Sequence, residues 1–257
     1  MRKLIIILIL SIVMFSIKVC GKNNIGIVNN VHSTYDLYID FSRLSNSDLD
    51  KIFYKHFPGN NYYFGVVTYN GKGGILFHPD TNGYFNHFVI IKTFSYKANI
   101  LINITWDVIF LANDTYSSIR EDNQKNAGGP IFAYIDDNNW IGIENYYGVA
   151  VIRGSKNGNG FGVYKTLSKT IPIKHKFSYT VIFDPNTFRV NVLFGYNSYY
   201  GWLDIYNTND YNWNLPPSKS DYYGKIVRIG FVIHRYYGDY ILFNVKVKKY
   251  ARIVNTL

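Results

Sequence analysis

Apolar and polar residues alternate along most of the chain in short segments that are rich in β-branched and aromatic residues. Successive side chains of a β-strand point to opposite faces of a sheet, so this alternation predicts strands with a buried face. Gly, Asn, Asp and Pro separate the segments at short intervals, as in tight turns. The predicted strands are residues 35–41, 62–69, 74–78, 87–94, 99–112, 130–135, 140–145, 149–153, 160–165, 177–183, 188–194, 202–206, 225–235 and 239–250.

Three polar or glycine-rich stretches lie between these strands. Residues 136–139 and 184–187 have the Asp, Asn and Pro content of hairpin turns, and Pro185 presets the first turn dihedral. Residues 154–162 are rich in glycine but lack the Lys-Ser or Lys-Thr ending of a phosphate-binding loop. We interpret that stretch as a mobile loop.

One short helix is predicted. Leu49, Ile52, Phe53 and His56 have the spacing of one helical face, and Ser47 is a candidate N-terminal cap. Many short strands, a single short helix and the absence of a βαβ rhythm predict an all-β fold, a two-sheet antiparallel sandwich or jelly roll.

The N-terminal residues have the layout of a secretory leader. Arg2 and Lys3 precede an apolar run over residues 4–17, and a small residue, Gly21, follows. The run is shorter than the about 20 residues that span a ~30 Å hydrocarbon core. We therefore predict a signal peptide or membrane leader at residues 1–21 and a secreted or cell-surface protein. Lipidation at Cys20 or retention of the leader is the alternative.

The remaining chain is expected to form a single domain. We predict a flexible Asn-rich segment at residues 22–34 and one β-sandwich domain at residues 35–257. Cys20 is the only cysteine, so no disulfide can form within the chain, and packing must stabilise the fold. The formal charge of the chain is +10. The basic residues are scattered along the sequence, which is typical of a solvated surface. We expect no nucleic-acid partner.

Two stretches carry a resemblance to a known superfamily. Residues 129–192 contain Gly-Pro-Ile-Phe-Ala-Tyr-Ile, an acidic turn, Trp-Ile-Gly-Ile-Glu, and Tyr-Thr-Val-Ile-Phe-Asp-Pro-Asn-Thr-Phe-Arg-Val-Asn-Val. Residues 229–251 contain Ile-Gly-Phe-Val-Ile and Tyr-Ile-Leu-Phe-Asn-Val-Lys-Val-Lys-Lys-Tyr-Ala. Together they resemble the concanavalin A-like lectin/glucanase superfamily in its laminin-G-like form, over about half of the chain. The resemblance implies an antiparallel jelly roll whose members bind glycans or proteins, hydrolyse polysaccharides or build surface structures.

No catalytic residues are predicted. Glucanases of this superfamily carry carboxylates in a Glu-x-Asp-x-(x)-Glu arrangement on one strand face, and this chain has no such motif. Its two glutamates, Glu121 and Glu144, are far apart in sequence. Asp36 and Asp40 share a predicted strand face, which we interpret as a solvated edge. The chain also lacks a Gly-x-Ser-x-Gly elbow and a His-Glu-x-x-His helix.

A calcium site is a possibility that the resemblance raises. Laminin-G-like and legume-lectin relatives often bind Ca²⁺ through loop oxygens. Asp136, Asp137, Asn138 and Asn139 supply suitable oxygens, and the same residues are favoured by any tight hairpin turn. Both interpretations of this turn stay open.

Tyr-Tyr-Gly occurs four times, next to predicted strand ends. Adjacent strand residues face opposite sides, so each pair would place one ring inward and one outward. Exposed rings can stack on sugars or contact proteins, and core filling is the alternative. The candidate carbohydrate-binding residues are Tyr146, Tyr147, Tyr199, Tyr200, Trp202, Tyr222, Tyr223, Tyr236 and Tyr237.

Two N-glycosylation sequons are present. Asn103 and Asn113 each begin an Asn-x-Thr sequence. Both are compatible with an exported glycoprotein.

Two classes of function therefore stay open. The first is a non-catalytic surface protein whose jelly roll binds a glycan or a surface protein. The second is a structural subunit of an extracellular assembly, such as a virion, filament or surface layer, with residues 25–31 as a donated strand. A polysaccharide hydrolase is a third hypothesis, which lacks its carboxylate motif. Membrane contact is expected only through an uncleaved leader.

Overall fold

The structure is a computed structural model of the chain. The residues that it describes are 35–59, 62–79, 86–112, 128–146, 149–166, 175–194, 198–206, 214, 216–234 and 238–250. The predicted leader, the segment 22–34 and Cys20 lie outside these ranges. No helix within them is long and apolar enough to cross a lipid bilayer.

Strands dominate the described residues, as the alternation predicts. The strands are β1 (Leu37–Asp40), β2 (Phe53–His56), β3 (Tyr63–Tyr69), β4 (Lys72–His78), β5 (Asn86–Ile91), β6 (Tyr96–Lys97), β7 (Leu101–Ala112), β8 (Gly128–Asp136), β9 (Asn139–Tyr146), β10 (Val149–Lys156), β11 (Asn159–Thr166), β12 (Lys176–Asp184), β13 (Arg189–Phe194), β14 (Ser198–Asp204), β15 (Ile226–His234) and β16 (Gly238–Tyr250). The helices are η1 (Phe41–Arg43), a single 3₁₀ turn, and the α-helices α1 (Asn46–Ile52) and α2 (Lys219–Tyr222).

The strands form two antiparallel sheets. Sheet A has the order β14-β13-β12-β7-β16-β4-β3, with β1 also paired to β16. Sheet B has the order β11-β10-β9-β8-β15-β5-β2, with β6 also paired to β15. The predicted all-β, two-sheet antiparallel sandwich is confirmed.

The inner faces of the two sheets meet in one core. On β7 of sheet A, Ile104, Trp106 and Val108 are fully buried at every second position. The Trp106 ring lies 5.9 Å from the ring of Phe41 in η1 and 5.4 Å from that of Phe231 on β15 of sheet B. Trp106 therefore joins the two sheets through aromatic contacts.

Each sheet also carries a smaller apolar cluster on its outer face. On β5, Phe88 and Ile90 alternate with Val89 and Ile91, and only the latter pair belongs to the core. The outer cluster of sheet B consists of Phe88, Ile90, Ile131, Tyr134, Trp140 and Val232. The outer cluster of sheet A contains Ile109, Ile241 and Phe243.

The predicted helix forms, but with different bounds. Ser45, not Ser47, is the N-cap of α1, and its backbone N–H donates to Asp48 Oδ2 at 3.0 Å. The helix ends before Phe53, and both Phe53 and His56 lie in β2. The prediction extended the helix because the first residues of β2 continue its apolar pattern.

The interpretation of residues 154–162 as a mobile loop is wrong. They form the facing ends of β10 and β11, which pair from Val149↔Thr166 to Lys156↔Asn159. The two turn residues, Asn157 and Gly158, have φ values of 52° and 81°. Positive φ at both positions defines the tight hairpin turn that an Asn-Gly sequence favours.

Gly154 and Gly160 on this hairpin give a matched test of the packing. A methyl group on Gly154 would lie 2.0 Å from the carbonyl oxygen of Trp140, whereas one on Gly160 would meet nothing closer than 3.9 Å. We expect Gly154→Ala to lower the free energy of unfolding by roughly 2–3 kcal/mol. Gly160→Ala should change it by less than about 0.5 kcal/mol. Urea unfolding measures both values, and equal effects would contradict this geometry.

Candidate site on the outer face of sheet B

A cavity of about 250 Å³ opens on the outer face of sheet B, and we call it the sheet B cavity. Strands β2 and β5, the β8–β9 turn and the β10–β11 hairpin surround it. Its lining residues are His56, Pro58, Asn86, Phe88, Asp137, Asn138, Trp140, Ser155, Gly158 and Gly160.

Two buried aromatic residues form the apolar side of the sheet B cavity. Phe88 and Trp140 are each 1% exposed, and their ring centroids lie 5.8 Å apart. The His56 ring stacks on Phe88, with centroids 4.5 Å apart and an interplanar angle of 9°. This stacking fixes the plane of the imidazole at the side of the cavity.

Asp137 is the centre of a hydrogen-bond network beside these rings. Its Oδ1 accepts a hydrogen bond from the Tyr134 hydroxyl at 2.7 Å. Its Oδ2 accepts one from the Tyr54 hydroxyl at 2.7 Å and lies 3.1 Å from His56 Nδ1. Three elements, β2, β8 and the β8–β9 turn, therefore hold one carboxylate in a fixed position.

The network keeps Asp137 ionised. Partial burial by itself raises the pKa of the Asp137 carboxyl, but the hydrogen bonds from Tyr134 and Tyr54 and the charge of His56 lower it further, to below its ordinary value. The same contacts act in the opposite direction on the phenols. The hydrogen bond to Asp137 raises the pKa of Tyr54 to about 12, and burial, followed by that hydrogen bond, raises the pKa of Tyr134.

The β10–β11 hairpin closes the other side of the sheet B cavity. Its turn is tied to the β8–β9 turn by Gly158 N–H, which donates to the Asn138 carbonyl at 3.0 Å, and by Asn157 N–H, which donates to Asn139 Oδ1 at 3.1 Å. Ser155 pairs with Gly160 across the hairpin, and both line the cavity. The absence of a side chain at Gly160 leaves this wall open.

Three of the four predicted calcium ligands, Asp136, Asp137 and Asn139, use side-chain oxygens for contacts within the protein. Asp136 Oδ1 accepts hydrogen bonds from the Asn138 backbone N–H at 2.9 Å and from Asn139 Nδ2 at 3.0 Å. Both oxygens of Asp137 serve the tyrosine and histidine network. Within the described ranges no group of three or more His, Cys, Asp or Glu side chains is placed to hold a metal ion. The four residues act as a hairpin turn, and calcium binding stays a prediction.

Of the candidate carbohydrate-binding side chains that the structure describes, those of Trp202, Tyr222 and Tyr223, none lines the sheet B cavity. Tyr222 is 2% exposed and packs in the core, so its ring is withdrawn from any ligand, whereas Tyr223 is 44% exposed. This pair lies at the end of α2 rather than on a strand. Trp202 is 43% exposed, but it belongs to β14 of sheet A. Tyr147, Tyr236, Tyr237 and the side chains of Tyr146, Tyr199 and Tyr200 lie outside the described residues.

The structure describes the asparagine of one of the two sequons. Asn103 lies within β7, in the middle of sheet A, and is half-buried. Asn113 lies outside the described residues. Glycosylation stays a prediction at both positions.

Only part of this site is predictable from the sequence. Asp137 and Asn138 were selected as turn residues, but His56 was assigned to a helix, and Tyr54 and Tyr134 were not selected. Asp137 is 81 residues from His56 and 83 from Tyr54 along the chain. The one local signal was Asn157-Gly158, which predicts the hairpin that carries Ser155 and Gly160.

Comparisons with known proteins give structural likeness alone. No family profile matches the sequence, and no curated protein matches it. Among solved structures, the lectin UEA-II complexed with galactose is 8% identical, with 85% of this chain and 100% of that chain covered and a TM-score of 0.48. A protein of unknown function from Shewanella oneidensis MR-1 is 11% identical, with 89% and 94% covered and a TM-score of 0.49.

A third similar structure is the botulinum neurotoxin serotype G binding domain. It is 14% identical, with 77% of this chain and 44% of that chain covered and a TM-score of 0.43. This chain thus spans less than half of that domain's length. The strand pairing of the chain itself defines its fold.

The Asp137 network predicts a change in one measurable pKa. Tyr134→Phe removes a hydrogen bond from the carboxylate, so we expect the pKa of Asp137 to rise and the free energy of unfolding at neutral pH to fall by about 1–2 kcal/mol. A depressed carboxyl pKa stabilises the fold above the unfolded value of about 3.9, and that contribution is lost as the pH falls through the folded value. The difference in the free energy of unfolding between Tyr134→Phe and the unchanged protein should therefore vanish in acid.

Carbon-13 NMR of the Asp137 carboxyl across a pH titration measures this shift directly. Tyr206→Phe, at an exposed tyrosine beyond β14 of sheet A, is the control and should leave the titration unchanged. An unchanged Asp137 titration in Tyr134→Phe would show that the hydroxyl does not hold the carboxylate.

Proposed function

We propose that this protein is an exported, non-catalytic binding protein that takes one sugar ring of a glycan in the sheet B cavity. The observation that carries the proposal is a fixed, ionised carboxylate, Asp137, set beside buried aromatic rings and further polar side chains at one opening. Small-ligand sites typically have an apolar wall with a small number of precisely placed polar groups.

The chemistry of the lining favours a polyhydroxyl ligand. Asp137 accepts hydrogen bonds, Ser155 both donates and accepts, and the amides of Asn86 and Asn138 can do either. Sugar hydroxyls also donate and accept, so they can match such a mixed set. The 250 Å³ volume lies below the about 300–1,000 Å³ of sites for drug-sized ligands, which favours a single ring.

Binding is favoured over hydrolysis by the number of carboxylates. Asp137 is the one acidic residue among the described lining residues. Most glycosidases need two carboxyl groups on either side of the scissile bond, one of which must hold a proton. The lowered pKa of Asp137 suits a hydrogen-bond acceptor rather than such a proton donor.

The other parts of the proposal rest on the sequence. The leader layout of residues 1–21 supports export. Self-assembly through residues 25–31 stays a prediction, because that segment lies outside the described residues.

The proposal is tested with a glycan array followed by calorimetry on the sugars retained. Gly160→Leu fills the open wall of the sheet B cavity at a position where a Cβ meets nothing closer than 3.9 Å. We expect it to reduce the affinity at least tenfold without changing the unfolding midpoint substantially. Asp137→Asn should also weaken binding, because it replaces the ionised acceptor.

Trp202→Ala is the matched comparison, since it removes the exposed ring on sheet A. Binding that survives Trp202→Ala and is lost in Gly160→Leu supports the sheet B cavity. The reverse pattern would place the glycan at β14 and overturn the proposal. An array without any retained sugar would overturn glycan binding itself.

A further inference from the structure

A second cavity, of about 330 Å³, opens on the outer face of sheet A, and we call it the sheet A cavity. It shares no lining residue with the sheet B cavity. Strand β1 with η1, the start of β4, the first residue of β12 and the middle of β16 surround it. The lining residues are Asp40, Ser42, Gly71, Lys72, Gly73, Lys176, Phe243 and Asn244.

A β-bulge in β16 creates this cavity. The register of β16 against β7 shifts between Leu242 and Asn244, and both Leu242 and Val245 belong to the core. The two intervening residues, Phe243 and Asn244, therefore both point outward. Bulges occur often beside functional sites, where they redirect a side chain.

The sheet also changes partners at this point. Leu242 of β16 pairs with Ile75 of β4, whereas Asn244 pairs with Asp40 of β1. The ends of β1 and β4 thus leave an opening in the sheet face next to the bulge. The cavity lies where the regular strand ladder is interrupted.

Positive charge is concentrated around the opening. Lys176 Nζ and Lys246 Nζ lie 3.6 Å and 3.2 Å from the same carboxylate oxygen, Asp107 Oδ2. Lys176 Nζ also lies 5.3 Å from the centroid of the Phe243 ring. One carboxylate therefore faces two ammonium groups, and one of these, Lys176, lines the cavity.

Lys72 adds another positive charge at this cavity. It is exposed at the mouth of the sheet A cavity and forms no ion pair with the described part of the chain. The other acidic residue of the cavity, Asp40, is paired with Arg43 at 3.3 Å. The cavity and its immediate surroundings thus carry two more positive than negative charges, and such a site attracts an anion.

Asn244 supplies a hydrogen-bond acceptor as well. Its Nδ2 donates to Asp107 Oδ2 at 2.8 Å, which fixes the orientation of the amide. Its Oδ1 has no hydrogen-bond partner within the described residues, although the side chain is 8% exposed. Buried polar atoms in native proteins normally have a partner, so a donor from a bound water or from a ligand that replaces it is expected at this position.

We propose that the sheet A cavity binds an acidic sugar, one that carries a carboxylate or sulfate group. The anionic group contacts Lys72 and Lys176, a ring hydroxyl donates to Asn244 Oδ1, and the C–H face of the ring lies against the edge of Phe243. A bare anion lacks the hydroxyl and the apolar face. This site does not rest on the function proposed for the sheet B cavity.

The test is an amide NMR titration of the protein with four probes: glucuronic acid, glucose 6-sulfate, glucose and inorganic sulfate. We expect at least one of the two acidic sugars to shift the backbone signals of Gly71, Lys72 and Gly73 and the side-chain amide of Asn244. Glucose should bind at least tenfold more weakly at these signals. Inorganic sulfate should also bind more weakly than the acidic sugar, and added salt should weaken the acidic sugar's affinity.

Charge-reversal variants locate the interaction. Lys72→Glu should weaken the binding of the acidic sugar at least tenfold, whereas Lys248→Glu, at another exposed lysine of sheet A, should change it less than twofold. Equal losses in the two variants would indicate attraction by net charge alone and overturn the proposal. The proposal would also be overturned if glucose or inorganic sulfate bound as tightly as the acidic sugar, or if neither acidic sugar shifted these signals. None of these outcomes depends on Gly160→Leu, so failures of the two sites are distinguishable.

Discussion

Buried side chains on the inner faces of the two sheets meet in one core and hold the sandwich together. With one cysteine in the whole sequence, no disulfide within the chain can support this fold. The sheets are joined instead by buried aromatic and aliphatic side chains, with Trp106 of sheet A against Phe231 of sheet B. Burial of apolar surface is the dominant favourable term in folding, and here it positions every strand that carries a candidate site.

Both cavities lie where a regular sheet face is interrupted. On sheet B the interruption is the meeting of two hairpin turns, with Asp137 in one and Gly158 in the other. On sheet A it is the bulge that turns both Phe243 and Asn244 outward. Along an uninterrupted strand, neighbouring side chains fill each face, so a cavity needs a turn, a bulge or a glycine to remove one of them.

The strand pattern was largely predictable, whereas the site was not. The predicted segments correspond to the observed strands apart from β2 and β6, because period-2 alternation is a local property that burial on one face imposes. The short β2 was missed since its first residues extend the apolar pattern of α1. Asp137 was selected for its place in a turn, and nothing local indicated that Tyr54, His56 and Tyr134 would converge on its carboxylate.

Local sequence patterns are enough to predict the fold class, the positions of most strands and turns, and the need for a core without disulfides. These properties follow from residue spacing and turn chemistry over a few residues. Folding of the whole chain sets which strands pair, buries Tyr222 while leaving Tyr223 exposed, and brings residues 81 positions apart into one hydrogen-bond network. Such contacts depend on strand order and register. A strand can pair with different neighbours and in different registers, and no local sequence pattern encodes which side chains then meet.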